Sequence, residues 1–162
     1  MTRIMAIVSQ KGGVGKTSLV QNLGAELANQ GQLTLLVDLD PQSNLTTGWG
    51  LDPGEDRYTI YDAMSDPKHS TQTIMEIRPN LYLMPANLDL AGAELAFINE
   101  IDRNTKLRKA LSPIAHHFDF ILIDGPPSLG FFTVNALAAA SEILIPLQVH
   151  PYACKALDQL MS

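Results

Sequence analysis

Short, almost continuously apolar runs recur along the chain, and between them the apolar residues take up helical spacing. Residues 4–8, Ile-Met-Ala-Ile-Val, have no clean alternation, the pattern of a strand buried on both faces of a parallel sheet. Residues 33–37, 81–84, 118–123 and 142–147 repeat that pattern, so five strands are predicted. Residues 16–29 predict a helix with Leu19, Val20, Leu23, Leu27 and Ala28 on one face, and Gly31 as its stop. Shorter helices are predicted over 59–64, 89–97 and 131–140, and from Tyr152 onward. Residues 105–117 predict a longer helix, with Leu107, Leu111, Ile114 and Ala115 on one side and Pro113 bending or interrupting it. Residues 67–73 form a connection or another short helix. Residues 43–53 are polar and contain glycine, and read as a functional loop at the carboxyl edge of the sheet. The alternation of strands and helices implies an α/β fold, a mostly parallel sheet with helices on both faces.

Composition narrows this only slightly. The chain has 162 residues, 46% hydrophobic and 17% charged, enough apolar material for one domain over residues 1–162. A formal net charge of -6 argues against a strongly basic, nucleic-acid-binding surface, though not against a local basic patch. Cys154 is the only cysteine, which rules out an internal disulfide and suits a reducing compartment. The N-terminus lacks a signal-peptide layout, and no run approaches the ~20 apolar residues of a membrane span. A cytoplasmic protein with no membrane partner is expected.

The candidate chemistry begins where the first strand ends. Residues 9–18 read SQKGGVGKTS. A strand that feeds a glycine turn opening into a helix makes a phosphate cradle: glycines let backbone N–H groups approach a polyphosphate, and the helix points its positive end there. Gly12, Gly13, Val14, Gly15, Lys16, Thr17 and Ser18 form that loop. Lys16 is placed to reach β- and γ-phosphates, and the Thr17 hydroxyl to ligate Mg²⁺. The general pattern G-x-x-x-x-G-K-[ST] is met only at its end. Gln10 stands where its first glycine should fall, and Lys11 follows at once. By residue type alone, Lys11 is either a solvated lysine on an exposed loop or a second positive charge aimed at the γ-phosphate.

Two acidic strand ends accompany the loop. Asp124 follows Phe-Ile-Leu-Ile and is either a solvated strand end or cap, or the carboxylate partner of Mg²⁺. Asp38 and Asp40 flank Leu39, and in an extended segment their side chains point the same way. Either suits orienting a water or assisting at the metal. Asp40, further beyond the strand, is the better candidate, and Asp38 reads equally well as a loop cap. His69, His116, His117 and His150 show no metal-ligand spacing, and Trp49 reads as half-buried packing.

Four segments in order, QKGGVGKTS, LLVDLDPQSN, LMPANLDLAGAEL and FILIDGPPSLG, resemble the ParA/Soj-type partition ATPases. This is the deviant Walker A family that also includes MinD-like division regulators. The resemblance runs from Ile4 to about Leu160, and PANLDLAGAE with DGPPSLG points to the chromosome and plasmid partition branch. It implies a P-loop fold and an Mg-ATP-dependent switch that hydrolyses ATP slowly in a sandwich homodimer. Lys11 matches the lysine that reaches across the dimer, and Gly12 the close-contact position at its interface. Lys16 and Thr17 match the phosphate and Mg²⁺ residues, Asp40 the aspartate needed for hydrolysis, and Asp124 the Walker B aspartate. ATP/ADP and Mg²⁺ are the implied cofactors, with a ParB-like centromere-binding protein and non-specific DNA as partners.

Family members continue for several more strands and helices, which carry much of the adenine pocket and the basic DNA-binding residues. The chain is therefore expected to be shortened at its C-terminus and to lack that basic surface. The alternative is a shortened nucleotide-binding fragment with weak or no ATPase activity that acts by dimerisation. A division-site or polysaccharide-synthesis regulator of the same family is a third option. An iron–sulfur bridge like that of the related nitrogenase iron proteins fails for want of a second cysteine.

Overall fold

The computed structural model describes residues 1–55 and 57–147. The strands are β1 (Arg3–Ile7), β2 (Thr34–Asp38), β3 (Met75–Arg78), β4 (Leu81–Met84), β5 (Phe120–Asp124) and β6 (Glu142–Leu144). They form one sheet in the order β3-β4-β2-β5-β1-β6. Every neighbouring pair is parallel except β3 with β4, which is antiparallel. Among the described residues six strands therefore stand where five were expected. The unforeseen one, β3, sits at the sheet edge, and its residues alternate between half-buried (Met75, Ile77) and exposed (Glu76, Arg78). That is the period of a strand with one wet face, confined to four residues.

Alternation along the central strands divides the core in two. Ile7, Leu36, Leu81, Leu83 and Leu122 face α1 (Lys16–Asn29), meeting its Val20 and Ala28. Ala6, Leu35, Val37, Ile121 and Ile123 face the opposite side. There they pack beneath α3 (Ile60–Ser65), α5 (Ala93–Ala96), α6 (Lys106–Leu111) and α7 (Phe131–Ala139). Helices thus cover both faces of the sheet. On α1 the closest approach is made by Gly24, which is fully buried. A Cβ there would stand 2.6 Å from Leu36 Cδ2, so any side chain at this position would force Leu36 to shift. Gly31, at φ 80°, ends the helix: its N–H donates to Ala28 O and the Gln32 N–H to Leu27 O, a Schellman cap.

Several predicted elements are shorter than their patterns suggested. The expected helix over 105–117 is a 3₁₀ turn, then α6 to Leu111, then a second 3₁₀ turn at Ala115–His117. Pro113 cannot donate the N–H that would carry the helix on. Residues 89–97 begin as a 3₁₀ helix (Leu88–Gly92) before α5. The stretch 67–73 is a 3₁₀ turn followed by α4 (Ser70–Thr73). The loop over 43–53 contains a helix, α2 (Asn44–Gly48). Thr59 caps α3 in a capping box with Asp62. The last predicted strand stops at Leu144, just before Ile145 and Pro146. The predicted helix from Tyr152, Cys154 and His150 lie outside the described residues.

Register sets up the site. Asp124 on β5 is level with Ile7 on one side and Asp38 on the other. Three adjacent parallel strands therefore end together, and everything that follows them opens at one edge, where open α/β sheets take ligands.

Candidate functional site

At that edge lies a cleft of about 370 Å³. Its floor is the turn between β1 and α1, with Gly12, Gly13, Gly15, Lys16, Thr17 and Ser18 along it and Asp40 among its other walls. Gly13 and Gly15 have φ of 72° and 87°, left-handed conformations that only glycine takes without strain. Gly15 occupies the cap position of α1, and no side chain caps the helix start. The first turn also holds no acidic residue, so its backbone donors and the helix dipole are left for an anion. Around Gly12, Gly13 and Gly15 no atom beyond the adjacent residues lies within 4 Å of where a Cβ would stand, so the turn is open to solvent. Val14 is half-buried and does not line the cleft.

Lys16 is only 7% exposed, an unusual state for a lysine. Near it, beneath the cleft, is Asp124, 1% exposed. The Thr17 hydroxyl bonds the Asp124 carboxyl, while its Oδ1 is buried with no partner. Burial pushes this carboxyl up to about 7, against the opposing pull of the Thr17 bond and Lys16. Asp38 and Asp40 push in the same direction as burial. A buried acceptor without a donor, next to a hydroxyl and a lysine, fits a cation. Among the described residues no group of three His, Cys, Asp or Glu side chains has metal-holding geometry. A dedicated all-protein cage is therefore not what is built here; the arrangement matches the habit of Mg²⁺, which takes one or two protein oxygens and completes its shell with phosphates and water.

Asp38 and Asp40 do not act as a matched pair. The chain leaves strand geometry at Asp38, and the two side chains go separate ways. Asp38 is fully buried: its Oδ2 accepts from the Thr46 N–H at 2.8 Å and the Thr46 hydroxyl at 2.7 Å, and its Oδ1 from the Asp40 N–H at 3.2 Å. Burial raises its carboxyl to about 6. It is the internal brace that its loop-cap reading anticipated. Asp40 is partly exposed and lines the cleft, with Oδ1 accepting from the Gln42 N–H at 2.9 Å.

Lys11 is exposed at the start of the glycine turn, and its N–H donates to Ser9 Oγ at 3.3 Å. Three cleft residues were not singled out from the sequence: Asn44, in the first turn of α2, and Gly125 and Pro127, in the turn after β5. Their signal was position: Gly125 and Pro127 follow directly on the acid that ends β5, and Asn44 lies in the polar loop read as functional at the carboxyl edge of the sheet. Trp49 is half-buried, as expected, with the Arg78 guanidinium 4.9 Å above its ring.

A helix start left uncapped, ringed by glycines and backed by a lysine withdrawn from water, has little use except to hold a polyphosphate. Fold and cleft together define a P-loop nucleotide-binding protein. Comparison with known proteins narrows the class. A sequence model described as an AAA domain matches residues 2–162. The chromosome-partitioning ATPase Soj of Treponema pallidum (strain Nichols) is 45% identical over 164 residues, covering 100% of this chain and 63% of that protein. The sporulation initiation inhibitor protein Soj of Bacillus subtilis (strain 168) is 43% identical over 163 residues, covering 100% and 64%. This chain belongs to the ParA/Soj-type family of partition ATPases. It spans a little under two thirds of the length of these two relatives. A solved structure of cobyrinic acid a,c-diamide synthase from Mycobacterium smegmatis, with bound ATP analogue and magnesium, superposes with a TM-score of 0.91. It is 38% identical, and the match covers 99% of this chain and 66% of that one.

Proposed function

We propose that this chain binds Mg-ATP and hydrolyses it slowly, as the switch of a chromosome or plasmid partition system, in a dimer that places nucleotide between two copies. The observation that carries the reading is the unpartnered, buried Asp124 oxygen beside Thr17 and Lys16, beneath an uncapped glycine cradle. Backbone N–H groups over residues 12–17 would bind the phosphates, with Lys16 countering their charge. Thr17 and Asp124 would hold Mg²⁺, assisted by Asp40, which lines the same cleft. The metal, when bound, neutralises charge developing on the transferred phosphoryl group. Asp40 would orient the attacking water and hold its proton. Lys11, from the partner copy, would supply positive charge at the γ-phosphate, which makes turnover depend on pairing. Gly12, with no Cβ, would let the two loops approach.

A ParB-like centromere-binding protein, non-specific DNA and a nucleoid location belong to the same proposal. Among the described residues no helix is long and apolar enough to cross a membrane. The test is ATP hydrolysis per molecule across a range of protein concentrations, for the wild type and for Lys11→Ala and Asp40→Ala. Activity should rise with concentration and be lost in both variants, while Asp40→Ala still binds an ATP analogue. Concentration-independent turnover would refute the pairing, and no turnover at any concentration would refute the ATPase. Co-sedimentation with DNA should show weak binding by these residues, given the net charge of -6.

A further inference from the structure

The braced acid behind the cleft rests on a hydroxyl that no motif singles out. Thr46 is 1% exposed. Its Oγ1 donates to Asp38 Oδ2 at 2.7 Å and accepts from the Ala86 N–H at 3.0 Å. One small group thus joins three segments: the end of β2, the first turn of α2, and the exit from β4. We infer that Thr46 is a positioning residue for hydrolysis, holding Asp38 so that the chain beyond it presents Asp40 and Asn44 to the nucleotide. The inference rests on the ATPase reading given above.

The connection to the cleft is direct. Asp38 uses one carboxylate oxygen for Thr46 and the other for the Asp40 N–H, at 3.2 Å. The position of the Asp40 backbone therefore follows the orientation of the Asp38 carboxylate, and Thr46 sets that orientation. The second connection runs through α2. Its cap residue, Ser43, lies in the left-handed region at φ 54° and makes no side-chain cap bond. Asp38 takes over, accepting the Thr46 N–H from across the loop at 2.8 Å. Asn44, in the same first turn, lines the cleft. Both cleft side chains supplied by this loop depend on the Asp38–Thr46 contact.

A hydroxyl is required at position 46 because one group must donate to a carboxylate and accept from an amide at once. Valine keeps the shape and loses both bonds, whereas serine keeps both bonds and loses a methyl group. A packing role and a positioning role therefore separate in this pair of variants.

The experiment compares wild type, Thr46→Val and Thr46→Ser in steady-state ATP hydrolysis, in equilibrium binding of a non-hydrolysable ATP analogue, and in amide hydrogen exchange without nucleotide. Thr46→Val should lower kcat by about 10- to 100-fold, the scale of a misplaced reacting group, with analogue affinity within about twofold of wild type. Thr46→Ser should restore most of the loss. Exchange over residues 38–47 and 85–87 should quicken in the valine variant and not in the serine one, with residues 12–18 unchanged. An unaltered kcat in Thr46→Val, a fall in analogue affinity that matches the fall in kcat, or a serine variant as impaired as the valine one would each overturn the inference. A wild type that never turns over ATP would sink the ATPase reading instead. The exchange measurement then decides alone: quickening confined to the two named segments upholds Thr46 as the brace, and unchanged exchange refutes it.

Discussion

Asp124→Asn should make the nucleotide-free protein more stable at pH 8 while spoiling its site. The carboxyl is 1% exposed, and burial raises it from the ordinary 3.8 to about 7. Between about pH 4 and pH 7 the folded state therefore binds more protons than the unfolded state. The wild type should lose stability as pH rises through that window and level off above it. Three units of displacement correspond to about 4 kcal/mol. Asparagine keeps the size and an oxygen for Thr17, and removes the charge. It also buries an amide NH₂ where one carboxylate oxygen already lacks a partner, at a cost of about 1–3 kcal/mol. The net gain at pH 8 is about 1–3 kcal/mol. At pH 5 the folded carboxyl is neutral but the unfolded one is ionised, so about 1.5 kcal/mol of the penalty persists, comparable with the cost of the amide; at pH 4 it falls to about 0.5 kcal/mol, and the buried amide leaves the variant the less stable of the two. Urea denaturation followed by Trp49 fluorescence from pH 4 to pH 8, without nucleotide, reads the two curves. They should cross. Parallel curves, or a variant less stable than wild type at pH 8, would refute the claim that Asp124 is held against its charge.

The same raised carboxyl predicts that uptake of Mg-nucleotide near pH 6 releases a proton, because a metal-binding Asp124 must be ionised. Calorimetry in two buffers of different ionisation enthalpy should give different apparent heats, and identical heats would contradict it. Gly24→Ala should be destabilising by about 1 kcal/mol despite alanine's helix propensity: the propensity gain of about 1 kcal/mol is outweighed by about 1–3 kcal/mol of overpacking against Leu36. Thermal denaturation checks it, and a raised Tm would show that Leu36 yields freely.

What was legible in the sequence is what depends on neighbours along the chain. The glycine turn over 9–18 could be read because left-handed turns need glycine, as the φ values of Gly13 and Gly15 show. The central strands and α1 could be read because burial on two faces, or on one stripe, leaves a direct apolar pattern. The mostly parallel α/β fold with helices on both faces followed from their order. β3 escaped because four half-buried residues at an edge carry little pattern; their pairing with β4 is what makes them a strand. α2 escaped because it is five residues long and its cap is Asp38, which lies outside the helix and its flanking loop. Only the tertiary structure decided the fates of the three acids. By residue type Asp38, Asp40 and Asp124 are all carboxylates near strand ends, and position along the chain favoured Asp40 over Asp38 without showing what surrounds either. The register that levels Asp38 with Asp124 buries both, Thr46 claims the first, and the second keeps an unpaired oxygen. Asp40, two residues beyond the strand, is left to face the cleft. Charge state and role depend on which atoms come close from distant parts of the chain, and no local pattern records that.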